Sequence, residues 1–109
     1  REGRLPVTIN KGATVTRNLP VADDISGLAD RVKKLQLRIC LEGFQAGDQV
    51  DVTMNGARLD ALPEKPLWLA ADVPPEAMKQ GKNNLVVGLP SGTAEALVMT
   101  SVELTVDYK

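Results

Sequence analysis

A chain of 109 residues, 43% hydrophobic and 25% charged, has the size and composition to close one core as a single domain over residues 1–109, with no room for a catalytic domain plus an accessory one. Its net charge of -1, with Arg31, Lys33 and Lys34 as the only basic cluster, lacks the electrostatic footprint of nucleic-acid binding, and no membrane span is suggested. There is no histidine, which removes Ser-His-Asp and Cys-His chemistry, and the single Cys40 permits no internal disulfide.

The chain begins at Arg1 without methionine or a targeting segment, as expected of a domain excised from a longer protein. Leu5 to Asn10 alternates with Val7 and Ile9 on one side, and Pro6 confines this first strand to an edge or to starting there. After a turn at Lys11-Gly12, Ala13 to Arg17 alternates around Val15, and Asn18-Leu19-Pro20 is expected to end that run. Val21 to Asp30 has helical spacing at Val21, Ile25 and Leu28 but carries Gly27 and several acids. It is expected to be a loop with one helical turn.

Val32 to Glu42 is the first long strand. Leu35, Leu37, Ile39 and Leu41 share one face, against Gln36, Arg38, Cys40 and Glu42 on the other, a pattern that predicts a central strand. Gly43 to Gly47, with Phe44, connects it to Asp48–Asp60. There, Asn55-Gly56 between two alternating runs is the sequence of a two-residue type I′ hairpin turn, in which both central residues need positive φ. That turn sets Met54 against Ala57, Val52 against Leu59 and Val50 against Ala61, so that every apolar residue of both strands falls on one face. Asp51, Thr53, Arg58 and Asp60 form the wet face, and a second layer must cover the dry one. The same register places Asp51 opposite Asp60, so either pairing ends before that rung or a cation sits there.

Leu62 to Pro66 is a turn-rich link whose two prolines forbid a central strand. Leu67 to Val73 is a short apolar strand carrying Trp68, and Pro74 to Gly81 has the proline, acid, lysine and terminal glycine of a very short capped helix of little more than one turn. Leu85, Val87 and Leu89 share a face of the next strand, and Pro90 to Thr93 marks a turn. Leu97 to Tyr108 is the longest strand, with Val98, Thr100, Val102, Leu104, Val106 and Tyr108 assigned to one side and Met99, Ser101, Glu103, Thr105 and Asp107 to the other. Seven or eight strands with at most short helical turns predict an all-β, two-sheet antiparallel sandwich.

Several of these stretches together carry a family likeness. Gly47 to Gly56, Trp68, Val73-Pro-Pro-Glu-Ala-Met78, Gly81-Lys-Asn-Asn-Leu-Val-Val87 and Val102-Glu-Leu-Thr-Val-Asp-Tyr108 resemble the galactose-binding-domain-like jelly roll, in particular the accessory domains of bacterial glycoside hydrolases. The likeness extends to Val21-Ala-Asp-Asp24 and the strand after it. It implies a jelly-roll architecture, an extracellular or periplasmic setting and a carbohydrate-related context. It implies no active site.

The residues themselves supply little chemistry. There is no Gly-x-Ser-x-Gly elbow, no phosphate-binding glycine loop and no cysteine pair for zinc, and the adjacent acids Asp23-Asp24 do not make two carboxylates held across a cleft. Asp23, Asp24, Asp48 and Asp107 are scattered with no calcium-loop spacing, so no enzyme, metal or cofactor is expected. Aromatics amount to 3%, and a sugar site needs ring faces on which pyranoses can lie. Phe44 and Tyr108 are assigned to packing, which leaves Trp68 as the candidate platform, with Arg58 and Asp51 from the outer hairpin face.

Two functions follow as expectations: a non-catalytic accessory domain packing on a neighbouring domain of a larger secreted protein, or a carbohydrate-binding module using Trp68, Arg58 and Asp51. A third, a protein-interaction sandwich of immunoglobulin type, would require a strand order other than the jelly roll.

Overall fold

The computed structural model describes residues 5–45, 47–91 and 95–109. Among them the chain forms nine strands: β1 (Val7–Asn10), β2 (Thr14–Val21), β3 (Val32–Glu42), β4 (Gln49–Met54), β5 (Ala57–Leu59), β6 (Leu62–Lys65), β7 (Trp68–Asp72), β8 (Gly81–Ser91) and β9 (Ala96–Tyr108). They make two antiparallel sheets, ordered β1-β9-β3-β7-β6 and β2-β8-β4-β5, and the helical content is two 3-10 turns at Ala29–Arg31 and Pro75–Ala77. With β6 set aside as an added edge, the order 1-9-3-7 over 2-8-4-5 is compatible with a jelly roll.

The layers exist because alternation gives each sheet one dry face. Leu35, Leu37, Ile39 and Leu41 of β3 are 0–3% exposed, and they meet Val52, Met54, Leu85, Val87 and Leu89 of the other sheet, which are 0–1% exposed. β3 is central, as its period predicts, flanked by β9 and β7. The hairpin register also matches its sequence: Met54 pairs with Ala57, Thr53 with Arg58 and Val52 with Leu59, around Asn55 at φ 52° and Gly56 at φ 85°. Pairing stops there, so the expected Val50–Ala61 rung does not form. Asp51 and Asp60 never form a rung, and the Arg58 guanidinium reaches diagonally to Asp51 at 2.9 Å.

The structure corrects three expectations. β2 continues through Pro20 to Val21 rather than ending at Asn18, because β2 is an edge strand and a missing amide donor is tolerated on an open edge. Leu62–Lys65 is a strand and not only a link, at the outer edge of its sheet where its proline fits, with all four residues exposed. The stretch after Pro74 is a single 3-10 turn, the one short turn expected there.

The third correction concerns β9. Cys40 pairs with Ser101 while Leu41 pairs with Met99, so Thr100 is an extra residue and the alternation changes phase there. Leu97 and Met99 point into the core before the bulge, and Val102, Leu104 and Val106 pack against it after the bulge. A single face for the whole strand, with Val98 and Thr100 inward, is therefore wrong. The turn expected over Pro90–Thr93 begins with Pro90 and Ser91 inside β8, and Gly92 and Thr93 lie outside the described residues.

Candidate functional site

Trp68, Arg58 and Asp51 do not converge. Trp68 opens β7, where Leu69 and Ala71 point into the core, so alternation turns the indole to the outer face of the five-stranded sheet. Arg58 and Asp51 lie on the outer face of the four-stranded sheet, since their neighbours Leu59 and Val52 point inward. The core separates them. The Arg58–Asp51 pair is solvent-exposed, with side chains 70% and 39% accessible, and contributes little to stability.

The indole itself is half-buried. Lys65, directly opposite on β6, holds its ammonium 5.2 Å from the ring centroid, and Cys40, opposite on β3, flanks the other side as a half-buried free thiol. A pyranose stacking on that face has to displace the Lys65 ammonium. Nearby, the small Ala70 lets Arg38 of β3 reach over β7 to Glu64, with 3.1 Å between Arg38 Nε and the carboxylate. This is an ion pair rather than a hydrogen bond, because the Nε proton is not directed at that oxygen.

Around the same edge the surface turns apolar. Leu62 faces outward from β6 and is 66% exposed, and Leu67 is held at φ 71° with 39% exposed. Phe44, Pro63, Glu64, Lys65, Pro66 and Leu67 line a shallow groove of about 330 Å³. Phe44 is half-buried against the core, as assigned from sequence.

Tyr108 differs from its assignment as a packing residue. It is 41% exposed, and its hydroxyl donates to Asp23 Oδ2 at 2.9 Å, a bond that raises the phenol pKa above its usual 10.0 because the neutral form is the donor, with minor contributions from burial and the Asp23 charge. Two of the other scattered acids are spent locally. Asp24 accepts from the Gly27 amide at 3.1 Å and Asp48 from the Gln45 amide at 2.8 Å. Among the described residues no group of three or more His, Cys, Asp or Glu side chains is placed to hold a metal ion, and no helix is long and apolar enough to cross a membrane.

The most concentrated polar cluster went unread in the sequence. Asn83 is fully buried, accepts at Oδ1 from Asn55 Nδ2 (2.8 Å) and the Lys79 amide (2.7 Å), and donates to the carbonyl of Lys79 at 2.8 Å. It also donates to the carbonyls of Leu19 and Gly81, each at 3.3 Å. Asn55 in turn donates to the Ala77 carbonyl at 2.7 Å and accepts from the Asn84 amide at 2.8 Å. The two amides therefore tie the β4–β5 turn, the Pro75–Ala77 turn and β2 together. Their polar atoms face one another and leave none aimed at a ligand. The signal was present: Asn83 shares the inward parity of Leu85, Val87 and Leu89.

No family model and no curated protein matches the chain.

Proposed function

We infer that the chain is a non-catalytic accessory module of a larger, secreted, glycoside-hydrolase-like protein, working by packing against a neighbouring domain. The observation that carries this reading is the apolar edge at β6 and β7, where Leu62 and Leu67 stand exposed beside Phe44, Pro63 and Pro66. Exposed apolar side chains grouped along one edge suit protein contact, and the charged Lys65 and Glu64 among them keep that edge from pairing with copies of itself. The jelly-roll-compatible strand order supports the family resemblance and speaks against an immunoglobulin-type sandwich.

The test is a two-domain protein containing this chain and its neighbour. Leu62→Asp with Leu67→Asp should leave this domain's own melting unchanged while lowering the neighbour's. The competing reading, carbohydrate binding through Trp68, has in its favour an outward, half-buried indole. A saturable oligosaccharide affinity by calorimetry, lost in Trp68→Ala, would replace the accessory reading with that one.

A further inference from the structure

Asn55 carries a covalent chemistry besides its hydrogen bonds. Of the asparagines at 10, 18, 55, 83 and 84, it alone precedes a glycine. An Asn-Gly pair is prone to deamidation because no side chain shields the following amide nitrogen, which attacks the asparagine Cγ. The Gly56 nitrogen loses its proton and bonds to Cγ, the Cγ–Nδ2 bond breaks, and ammonia leaves with that proton. Water then opens the cyclic imide at one carbonyl or the other, which puts aspartate or isoaspartate in place of asparagine.

The folded turn holds Cγ away from that nitrogen. Asn55 lies at φ 52°, in the left-handed region. There ψ is about +47°, which sets Cβ and the next nitrogen on opposite sides of the Cα–C bond, whereas ring closure needs them on the same side. The side chain is also tied in the other direction. Met54 pairs with Leu85 on β8 and with Ala57 on β5, so these strands flank β4, and Asn55 is bonded toward β8 while the chain leaves through Gly56 toward β5. The Asn55 amide donates to the Asn84 carbonyl at 2.8 Å, Oδ1 accepts from the Asn84 amide, and Nδ2 donates to Asn83 Oδ1 and the Ala77 carbonyl. Gly56 itself is exposed, with open space where a side chain would stand. The nucleophile is therefore unhindered, and only the turn and the cluster withhold the carbon.

The product cannot rejoin the cluster. An aspartate has no proton to give Asn83 Oδ1 or the Ala77 carbonyl, so each would face a carboxylate oxygen at hydrogen-bond distance. Asn83 cannot answer by turning its amide over, because Oδ1 also accepts from the Lys79 amide and Nδ2 serves the carbonyls of Leu19, Lys79 and Gly81. Isoaspartate adds a methylene to the main chain of a two-residue turn and disturbs the register of β5.

We propose that Asn55 is a latent deamidation site, locked while the β4–β5 turn and the Asn83 cluster are intact and released once that corner opens. The reaction then marks, in one direction, the chains that have opened there.

The experiment incubates the chain beside the peptide acetyl-Val-Thr-Met-Asn-Gly-Ala-Arg-Leu-amide in mildly alkaline buffer. Mass spectrometry after proteolysis follows the exchange of amide for acid at position 55. The folded chain should react at least about tenfold more slowly than the peptide, because opening gives up several hydrogen bonds, and the two rates should converge in urea above the unfolding transition. Asn83→Ala, where circular dichroism shows it folded, should react about tenfold faster than the unaltered chain. If Asn83→Ala does not fold, Asn55→Asp decides. It should melt below the unaltered chain at neutral pH, and the gap should narrow as pH falls and the carboxyl regains a proton to donate. A folded chain as reactive as the peptide, a folded Asn83→Ala no faster than the unaltered chain, or Asn55→Asp melting with the unaltered chain would each overturn the proposal.

Discussion

Asn83 shows how a single residue's burial decides what it is for. Its side chain is fully enclosed and meets donors and acceptors from Asn55, Lys79, Leu19 and Gly81, so removing it strands buried polar groups on three segments at once. Asn83→Ala is expected to cost about 2–4 kcal/mol, because each buried group left unpaired costs about 1–3 kcal/mol; chemical denaturation with an unchanged slope checks this. At Gly56, φ 85° lies in open space, so Gly56→Ala meets no steric clash and loses only the backbone preference, about 1 kcal/mol. Tyr108 adds a pH dependence. Its phenol pKa is raised in the folded state, so the contribution of the Asp23 bond is present below pH 10.0 and fades as pH rises through the higher folded value. Phenolate absorbance should titrate above that of a free tyrosine, and Asp23→Asn should bring it back toward the ordinary value.

Among the elements, those governed by one local rule could be read from sequence. The β4–β5 hairpin is specified by Asn55-Gly56 and by apolar residues on a single face, and β3 by four leucine or isoleucine residues at period two. Features set by a partner strand could not be read this way. Nothing around Thr100 marks a bulge, since the bulge is defined by what Cys40 and Leu41 pair with, and a period-two reading carries straight through it. Pro20 looks like a terminator until β2 is known to be an edge. The candidate site divides the same way: Trp68, Arg58 and Asp51 each face outward as alternation requires, but which sheet each belongs to is a matter of topology. Deleting Thr100 tests the bulge. It leaves Leu41 opposite Met99 and Cys40 opposite Ser101 in an unbroken ladder, with Leu97, Met99, Val102, Leu104 and Val106 on one face, and the expected outcome is a retained cooperative thermal transition followed by circular dichroism.

For the whole molecule, the two sheets share one core and neither has a second apolar face to fall back on. Unfolding is therefore expected to be all-or-none. Trp68 is the only tryptophan and belongs to the five-stranded sheet, whereas far-ultraviolet circular dichroism reports both sheets, so denaturation curves from the two probes should coincide. Separate midpoints would mean that the sheets come apart independently.

The position of β9 has a further consequence for biosynthesis. The strand emerging last lies between the first strand and the third, and until it leaves the ribosome β1 has no neighbour in its sheet and β3 has only β7. The nascent chain must hold its leucine-rich third strand half-paired throughout translation, which makes β3 the segment for which a chaperone would have most use.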